Sequence, residues 1–238
     1  EQGIAADWFL TLKVAATAQE LARYPTTRDV WLPGGFPPVT APGAPLERLK
    51  PKGLAATLKR LAAAGRRDFY EGGIAADILK DVRALGGRIA AGDLRQYRAR
   101  VVEPLVADYR GAQFALAPDL TAGPSMLQAL DGLRGARMRK NGPHADAYVA
   151  YATVLREAYA SRLATMGATA DHRDPSSTTH LNVVDRDGNM VALTQTLLSV
   201  FGSKVVLPAT GILMNNGIMW FDPRPAHQHV PGDRAPQR

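Results

Sequence analysis

Residues 176–196 read SSTTHLNVVDRDGNMVALTQT, and the sharpest change of pattern in the chain lies within them. Apolar and polar residues alternate on both sides of the Asp187-Gly188 step, which is a strong signal for a β-hairpin. The pattern predicts a strand that begins with the threonines, a turn at residues 186–189 and a returning strand at residues 190–196. The preceding residues 167–177 are polar and predict a linker.

Thr178 stands where the polar linker gives way to the first strand. A hydroxyl is a weak nucleophile, but the free α-amine of an N-terminal threonine can act as its base. If the chain were cut just before Thr178, that residue would become an N-terminal nucleophile. Two adjacent threonines are also ordinary β-branched residues of a strand, so the pair alone leaves both interpretations open.

Helical and extended patterns alternate along the rest of the chain. Apolar spacing and cap residues predict helices at residues 4–22, 52–64, 72–85, 94–98 (with Asp93 as N-cap), 124–134 and 144–166, and strands near residues 101–109 and 112–117. Residues 25–51 are rich in proline and glycine and predict a long loop. The alternation favours a mixed α/β architecture.

Several longer motifs follow one another in a fixed order. They are Asp68-Phe69-Tyr70-Glu71-Gly72, Gly86-Gly87 with Asp93-Leu94 and Tyr97, Asp108-Tyr109-Arg110-Gly111, Thr178-Thr179-His180 and Gly211-Ile212-Leu213-Met214-Asn215-Asn216. In this order they resemble the γ-glutamyltranspeptidase (glutathione hydrolase) family, whose small subunit begins at the first threonine of a Thr-Thr-His. The order is more specific than any single motif, and it covers nearly the whole chain.

The resemblance implies an N-terminal-nucleophile hydrolase, so the chain is expected to be an α/β (α+β) part of a four-layer αββα sandwich. Residues 1–177 would be the C-terminal part of the large subunit, and residues 178–238 would begin the small, catalytic subunit. The family's carboxylate-binding arginine would lie before Glu1, and its oxyanion-hole glycines would lie beyond Arg238. We therefore expect an internal piece of a proenzyme that is inactive by itself.

The same resemblance implies roles for particular residues. Thr178 would be the nucleophile, and the bond between Ser177 and Thr178 would be the site of self-cleavage. Thr196 falls at the family's second threonine and would hydrogen-bond the nucleophile. The substrate-binding positions would be Thr179, His180, Asn215 and Asn216. A structural histidine and a turn-forming asparagine pair are the alternatives for these positions.

Three positions depart from the family's pattern for binding the free amine of a γ-glutamyl group. Leu198, Gly217 and Trp220 stand where the family has an Asn, a Gln or Glu, and an Asp. An ammonium placed there would be desolvated without partners, at a cost on the order of several kcal/mol. The family's Ser-Ser pair for the carboxylate would follow soon after Arg234, where Arg238 could instead bind a carboxylate.

The expected function is a self-cleaving amide hydrolase or acyl transferase that transfers a γ-glutamyl or related acyl group from an amide to water or an amine. The departures open an alternative, a divergent amidohydrolase for a non-glutamyl acyl group of the oxamate or cephalosporin-acylase type. Residues 201–203 and 219–223 resemble that branch. A further alternative is an uncleaved, non-catalytic homologue with a binding or structural role.

Composition limits the remaining functional classes. The 238 residues include no cysteine, which excludes disulfides and thiolate chemistry and fits a cytoplasmic or a periplasmic protein. The net charge of +7 is spread along the chain, and its densest cluster (residues 134–140) is interpreted as a helix end, so nucleic-acid binding is not expected. Because no run of about 18 apolar residues occurs, no membrane span is expected either.

The expected partners are a small-molecule amide substrate and the two subunits cut from one precursor, with a homodimer of processed heterodimers as one assembly. No metal or organic cofactor is expected. His227 and His229 lack a clear third ligand for a metal ion. Residues 185–188 share part of a calcium-loop pattern, but a hairpin turn explains them.

Overall fold

The computed structural model describes residues 2–119, 121–137, 142–165 and 178–220. These residues fall into two compact units. The first unit combines residues 2–98 with residues 178–217, and the second combines the described residues of 99–165 with residues 218–220. The hairpin that begins at Thr178 therefore belongs to the same unit as the N-terminal helices.

Helices and short strands make up both units. The α-helices are α1 (Trp8–Ala16), α2 (Ala18–Leu21), α3 (Pro25–Trp31), α4 (Leu54–Ala64), α5 (Arg66–Glu71), α6 (Gly73–Ala84), α7 (Ala91–Gln96), α8 (Gly123–Gly132) and α9 (Ala145–Thr165), with 3₁₀ turns at Pro33–Gly35 and Gly217–Trp220. The strands are β1 (Ile4–Ala5), β2 (Arg48–Leu49), β3 (Leu105–Tyr109), β4 (Ala112–Leu116), β5 (Thr178–Val184) and β6 (Met190–Thr196). The predicted mixed α/β architecture is confirmed.

Within the described residues, all pairing between these strands is antiparallel and two-stranded: β1 with β2, β3 with β4, and β5 with β6. The β5–β6 hairpin spans seven residue pairs, from Thr178 opposite Thr196 to Val184 opposite Met190. Both predicted strands of this hairpin are therefore confirmed, and the pairing places the two threonines at its open end.

Three predicted elements differ from the observed ones. The helix predicted for residues 4–22 begins only at Trp8, because Ile4 and Ala5 form strand β1, and it is divided at Thr17, whose backbone (φ −114°, ψ 11°) leaves the helical region. The long loop predicted at residues 25–51 contains α3, which starts with Pro25 at a position where no backbone N–H is needed. Asp93 is not the N-cap of α7; it lies inside the helix, and its carboxylate accepts from the Ala90 amide at 2.8 Å.

The segment after the hairpin, residues 203–214, anchors β6 to the helices of the first unit. Val206 packs in a core cluster with residues of α1, α2 and α3, and Leu207 packs in a second cluster with Ile74 and Ile78 of α6. Leu207 is fully buried, and burying a leucine contributes about 1.5–3 kcal/mol. The segment therefore joins two groups of helices that are distant from it in sequence.

The second unit consists of the β3–β4 hairpin and the helices α8 and α9. Ala129, Leu133 and Val154 form its small core cluster. Arg162 of α9 donates to the carbonyl of Thr121 at 2.7 Å, and this bond fixes the end of α9 beside the start of α8. Across the part of the chain that the structure describes, no helix is long and apolar enough to span a membrane.

Candidate functional site

The turn of the β5–β6 hairpin sets the alignment of the two threonines. Asp185 accepts hydrogen bonds from the backbone N–H groups of Asp187 and Asn189, both at 2.9 Å, and from the Asn189 side chain at 2.8 Å. These bonds, the one from the Asn189 side chain foremost, lower the pKa of Asp185. Because the turn fixes the register of the strands, Thr178 lies directly opposite Thr196.

The two threonine hydroxyls meet at the open end of this hairpin. Oγ of Thr178 lies 3.4 Å from Oγ of Thr196, which also accepts a hydrogen bond of 2.9 Å from the Leu198 amide. Leu198 has a φ of +78°, a region that residues with a Cβ rarely occupy. Strained backbone of this kind clusters at functional sites, and here it directs an N–H at the second threonine.

A pocket of about 410 Å³ opens beside the pair, within the size range typical of small-molecule sites. Helix α1 forms one wall, and the ends of β5 and β6 with the following loop form the other. The lining residues are Phe9, Lys13, Thr178, Thr179, Gln195, Thr196, Leu197, Ser199 and Phe201. The threonine hydroxyls thus border a space in which a substrate of modest size fits.

Helices α2 and α3 support the loop that follows β6 and closes this pocket. Phe201 packs on Trp31 with ring centroids 4.8 Å apart, and Lys204 forms an ion pair of 2.9 Å with Glu20. The fully buried Thr27 hydroxyl donates to the Lys204 carbonyl at 2.7 Å and accepts from the Val206 amide at 3.0 Å. These contacts fix the loop backbone, although it carries positive φ angles at Phe201 and Lys204.

Thr179 and His180 lie in different surroundings. Thr179 pairs with Gln195, and both line the pocket. The His180 ring is hydrogen-bonded through Nδ1 to Thr194 Oγ at 2.7 Å and through Nε2 to Asn182 Oδ1 at 3.0 Å. Both ring nitrogens are therefore engaged within the hairpin, two residue pairs away from the Thr178–Thr196 pair. His180 is absent from the described pocket lining.

The asparagine pair lies next to the loop rather than in the described pocket lining. Asn215 Oδ1 accepts from the Gly217 amide at 2.9 Å, which is the turn-forming arrangement. Asn216 binds the loop twice: its amide donates to the Leu197 carbonyl at 2.9 Å, and its side-chain Nδ2 donates to Ser199 Oγ at 2.9 Å. Asn216 therefore positions two residues of the pocket wall.

Some predicted residues lie outside the described residues. They are the predicted linker, residues 167–177, which includes Ser177 at the predicted cleavage site, residues 138–140 of the basic cluster, the segment 221–223, His227, His229 and Arg238. Among the residues that the structure does describe, no group of three His, Asp or Glu side chains could hold a metal ion.

Sequence reasoning did not identify the wall of the pocket that α1 forms. Phe9 and Lys13 are four residues apart on α1, so they share one face of that helix. They lie more than 160 residues before Thr178 in the chain, and no local motif marks them. Only the fold brings them to the threonines, so a pattern read along the sequence could not have found them.

The chain belongs to the γ-glutamyltranspeptidase family, since the family model described as Gamma-glutamyltranspeptidase matches residues 1–171 and 162–237. The resemblance seen in the motifs is thereby confirmed. The chain is 33% identical to the glutathione hydrolase proenzyme of Escherichia coli (strain K12), over 80% of this chain and 40% of that protein. It is 31% identical to the acylase ACY 1 proenzyme of Pseudomonas sp. (strain SE83), over 99% of this chain and 48% of that protein.

Among solved structures, the chain is similar to cephalosporin acylase from Bacillus halodurans, with a TM-score of 0.75 and 25% identity. That similarity covers 99% of this chain and 49% of the acylase chain. The predicted fold class, part of an N-terminal-nucleophile hydrolase, is therefore confirmed. The chain spans less than half the length of the curated relatives it matches.

Proposed function

We propose that the complete protein is a self-cleaving amide hydrolase or acyl transferase of the γ-glutamyltranspeptidase type, with Thr178 as its nucleophile. One observation carries the proposal: the Thr178 hydroxyl lies 3.4 Å from the Thr196 hydroxyl at the edge of a pocket of about 410 Å³. An N-terminal threonine needs a neighbouring hydrogen-bonding group to align it and a space for the substrate. Both are present on one hairpin end.

The first reaction is cleavage of the precursor. Thr178 Oγ attacks the carbonyl carbon of Ser177, the peptide C–N bond breaks, and the acyl group moves from the Thr178 nitrogen to its oxygen. Water then hydrolyses the ester and leaves a carboxylate on Ser177 and a free amine on Thr178. This cleavage would divide the chain into large-subunit residues 1–177 and small-subunit residues that begin at Thr178.

The second reaction is turnover of an amide substrate. The free α-amine of Thr178 has an ordinary pKa near 8, so at neutral pH it can accept the hydroxyl proton while Oγ attacks the substrate carbonyl. The proton passes to the departing amine, and the acyl group stays on Oγ as an ester. Water or an acceptor amine then attacks the ester and regenerates the hydroxyl.

The surrounding residues take supporting roles in this proposal. Thr196 aligns the Thr178 hydroxyl, and the Leu198 amide in turn holds Thr196. Thr179 contacts the substrate from the pocket wall. Three other predicted residues do not line the described pocket: His180, Asn215 and Asn216. His180 stabilises the hairpin through the two hydrogen bonds of its ring, and Asn216 holds Leu197 and Ser199 in place.

A second candidate is an amidohydrolase for a non-glutamyl acyl group, and two observations favour it. Leu198 and Gly217 bring no polar side chain to the positions that bind the amine of a γ-glutamyl group in the resemblance. The acylase relative also aligns with 99% of this chain, whereas the Escherichia coli glutathione hydrolase aligns with 80%. A γ-glutamyl anilide that is hydrolysed as fast as its des-amino analogue would contradict this candidate.

The mass of the complete, freshly purified protein tests the main proposal. We expect two polypeptides, the smaller beginning Thr178-Thr179-His180 by N-terminal sequencing. The Thr178→Ala variant should stay uncut and inactive, whereas Thr178→Ser keeps a hydroxyl and should still be cut, more slowly. A wild-type chain that stays uncut after long incubation would instead indicate the non-catalytic homologue, and cleavage of Thr178→Ala would refute the nucleophile.

A further inference from the structure

The charge of the pocket comes from one side chain. Of the nine described residues that line it, Lys13 is the only one with an ionisable side chain; the others are threonine, serine, glutamine, leucine and phenylalanine. The positive charge therefore faces the same space as the Thr178 hydroxyl. A group that is only weakly solvated in such a pocket interacts more strongly with a charge than it would in water.

Lys13 is held in place by contacts within α1. Its Nζ lies 5.4 Å from the centroid of the Phe9 ring, a cation–π distance, and the side chain is partly buried. The two acids nearest along the chain are engaged elsewhere: Asp7 accepts from the Leu10 amide at 2.8 Å, and Glu20 pairs with Lys204. No carboxylate among the described residues forms an ion pair with Lys13.

An ammonium and a carboxylate would meet opposite conditions in this pocket. The cation of Lys13 repels a substrate amine, and none of the described lining residues carries a carboxylate that would offset this repulsion. A carboxylate gains a charge-assisted hydrogen bond from Nζ, and a short aliphatic or aromatic part of the same substrate can pack on Phe9. The pocket thus combines one cation with apolar surface beside the threonine pair.

We propose that Lys13, supported by Phe9, is a specificity residue that binds a carboxylate of the substrate beside the scissile amide. The inference rests on the proposed function, because it takes Thr178 as the nucleophile that borders the same pocket. The carboxylate belongs either to the acyl group or to the leaving amine, and the two sources are separated by the substrates of the test.

The test compares matched substrates with the complete, processed enzyme. For the acyl side, the glutaryl 4-nitroanilide, which is a γ-glutamyl anilide without its amine, is paired with its terminal carboxamide. For the leaving side, N-butyryl-4-aminobenzoate is paired with N-butyryl-4-aminobenzamide. In one of the two pairs we expect kcat/KM to be about 10- to 100-fold higher for the carboxylate, the range of one charge-assisted bond.

The variants of Lys13 locate the origin of that preference. Lys13→Met should remove the preference for the carboxylate by raising the KM of the carboxylate substrate. The kcat/KM of the variant for the neutral substrate should stay within about threefold of the wild-type value. Lys13→Arg should retain most of the preference, and Lys52→Met, a lysine outside the described pocket lining, should change nothing. A preference that survives Lys13→Met, equal losses for both members of a pair, or no preference in either pair would overturn the proposal.

Failure of the proposed function has a different signature. The chain would then stay uncut at Thr178 by intact mass, and no anilide would be hydrolysed by any variant. Calorimetric titration with the glutaryl anilide and its carboxamide still decides the binding claim in that case. Tighter binding of the carboxylate that depends on Lys13 supports it, and equal or absent binding in wild type and Lys13→Met refutes it.

Discussion

Thr178 and Thr196 face each other across the last residue pair of the β5–β6 hairpin, with their hydroxyl oxygens 3.4 Å apart. This distance is longer than the roughly 2.5–3.0 Å of a typical O–H···O hydrogen bond. The Thr196 oxygen is fixed independently by the Leu198 amide at 2.9 Å, so it can orient its partner without being moved by it. The nucleophile proposed here therefore has a pre-positioned neighbour.

Replacing Thr196 by alanine should lower kcat of the processed enzyme about 10- to 100-fold, because the Thr178 hydroxyl loses its aligning group. KM should change little, since the pocket keeps its shape. Thr196→Ser retains Oγ and should recover most of kcat. Steady-state kinetics on one anilide measure all three enzymes, and a Thr196→Ala variant within twofold of wild type would contradict the aligning role.

The Thr27 side chain is expected to be a main anchor of the pocket loop. Thr27→Val removes the hydroxyl and leaves the part-buried Lys204 carbonyl and the buried Val206 amide without this partner. A buried group without its partner costs about 1–3 kcal/mol and the part-buried carbonyl costs less, so the unfolding free energy should fall by about 2–4 kcal/mol. Denaturant unfolding of the complete protein measures the loss. Thr26→Val, the neighbouring and more exposed threonine of α3, is the control and should cost far less.

The hairpin could be predicted from the sequence because its signals are local. Alternating strands and an Asp-Gly turn specify the register, and the register alone places Thr178 opposite Thr196. The helices α4, α6, α8 and α9 were predicted within a few residues for the same reason, since apolar spacing and glycine ends are local features.

The rest of the site depends on contacts between distant residues. Helix α3 lies in a stretch whose prolines and glycines suggested a loop, and it is stabilised by burial of Thr27, Val30 and Trp31 rather than by its own propensity. Lys13 reaches the pocket only because α1 packs near the hairpin end. Neither result can be obtained from spacing along the chain.

Asp68 is expected to make stability depend on pH in the acid range. The hydrogen bond from the Arg60 side chain, followed by those from the Gly73 and Ile74 amides, lowers the pKa of Asp68 to about 2. The folded pKa is thus below the unfolded value, so this contribution is complete above about pH 4 and is lost as the pH falls towards 2.

Asp68→Asn should therefore reduce stability at pH 7 and flatten its decline between pH 4 and pH 2. Denaturant midpoints at a series of pH values measure the slope. Asp131→Asn is the matched control, because the Asp131–Arg134 pair is largely exposed and such pairs contribute little. Parallel pH curves for wild type and Asp68→Asn would contradict the assignment of the slope to this carboxylate.

Gly202 is expected to tolerate no side chain, because the loop that closes the pocket passes close to residues 214–215 there. Its φ is +51°, and an added Cβ would lie 2.2 Å from the Met214 carbonyl oxygen. Gly188 in the hairpin turn also has a positive φ, +83°, but open space surrounds its Cβ position. Both alanine variants bear the cost of a left-handed backbone, about 1–2 kcal/mol, and only Gly202→Ala adds a clash with fixed backbone.

The difference in unfolding free energy between these two variants measures the effect of the close approach between residue 202 and the Met214 carbonyl. Gly202→Ala should lose about 1–3 kcal/mol more unfolding free energy than Gly188→Ala, the usual cost of overpacking. Because the clash would displace Phe201 and the neighbouring pocket wall, cleavage before Thr178 should also be slower in Gly202→Ala alone. Unfolding and intact-mass time courses on both variants measure these effects. Equal losses would mean that the loop moves freely away from Met214, and the rigid support inferred for the pocket would then be wrong.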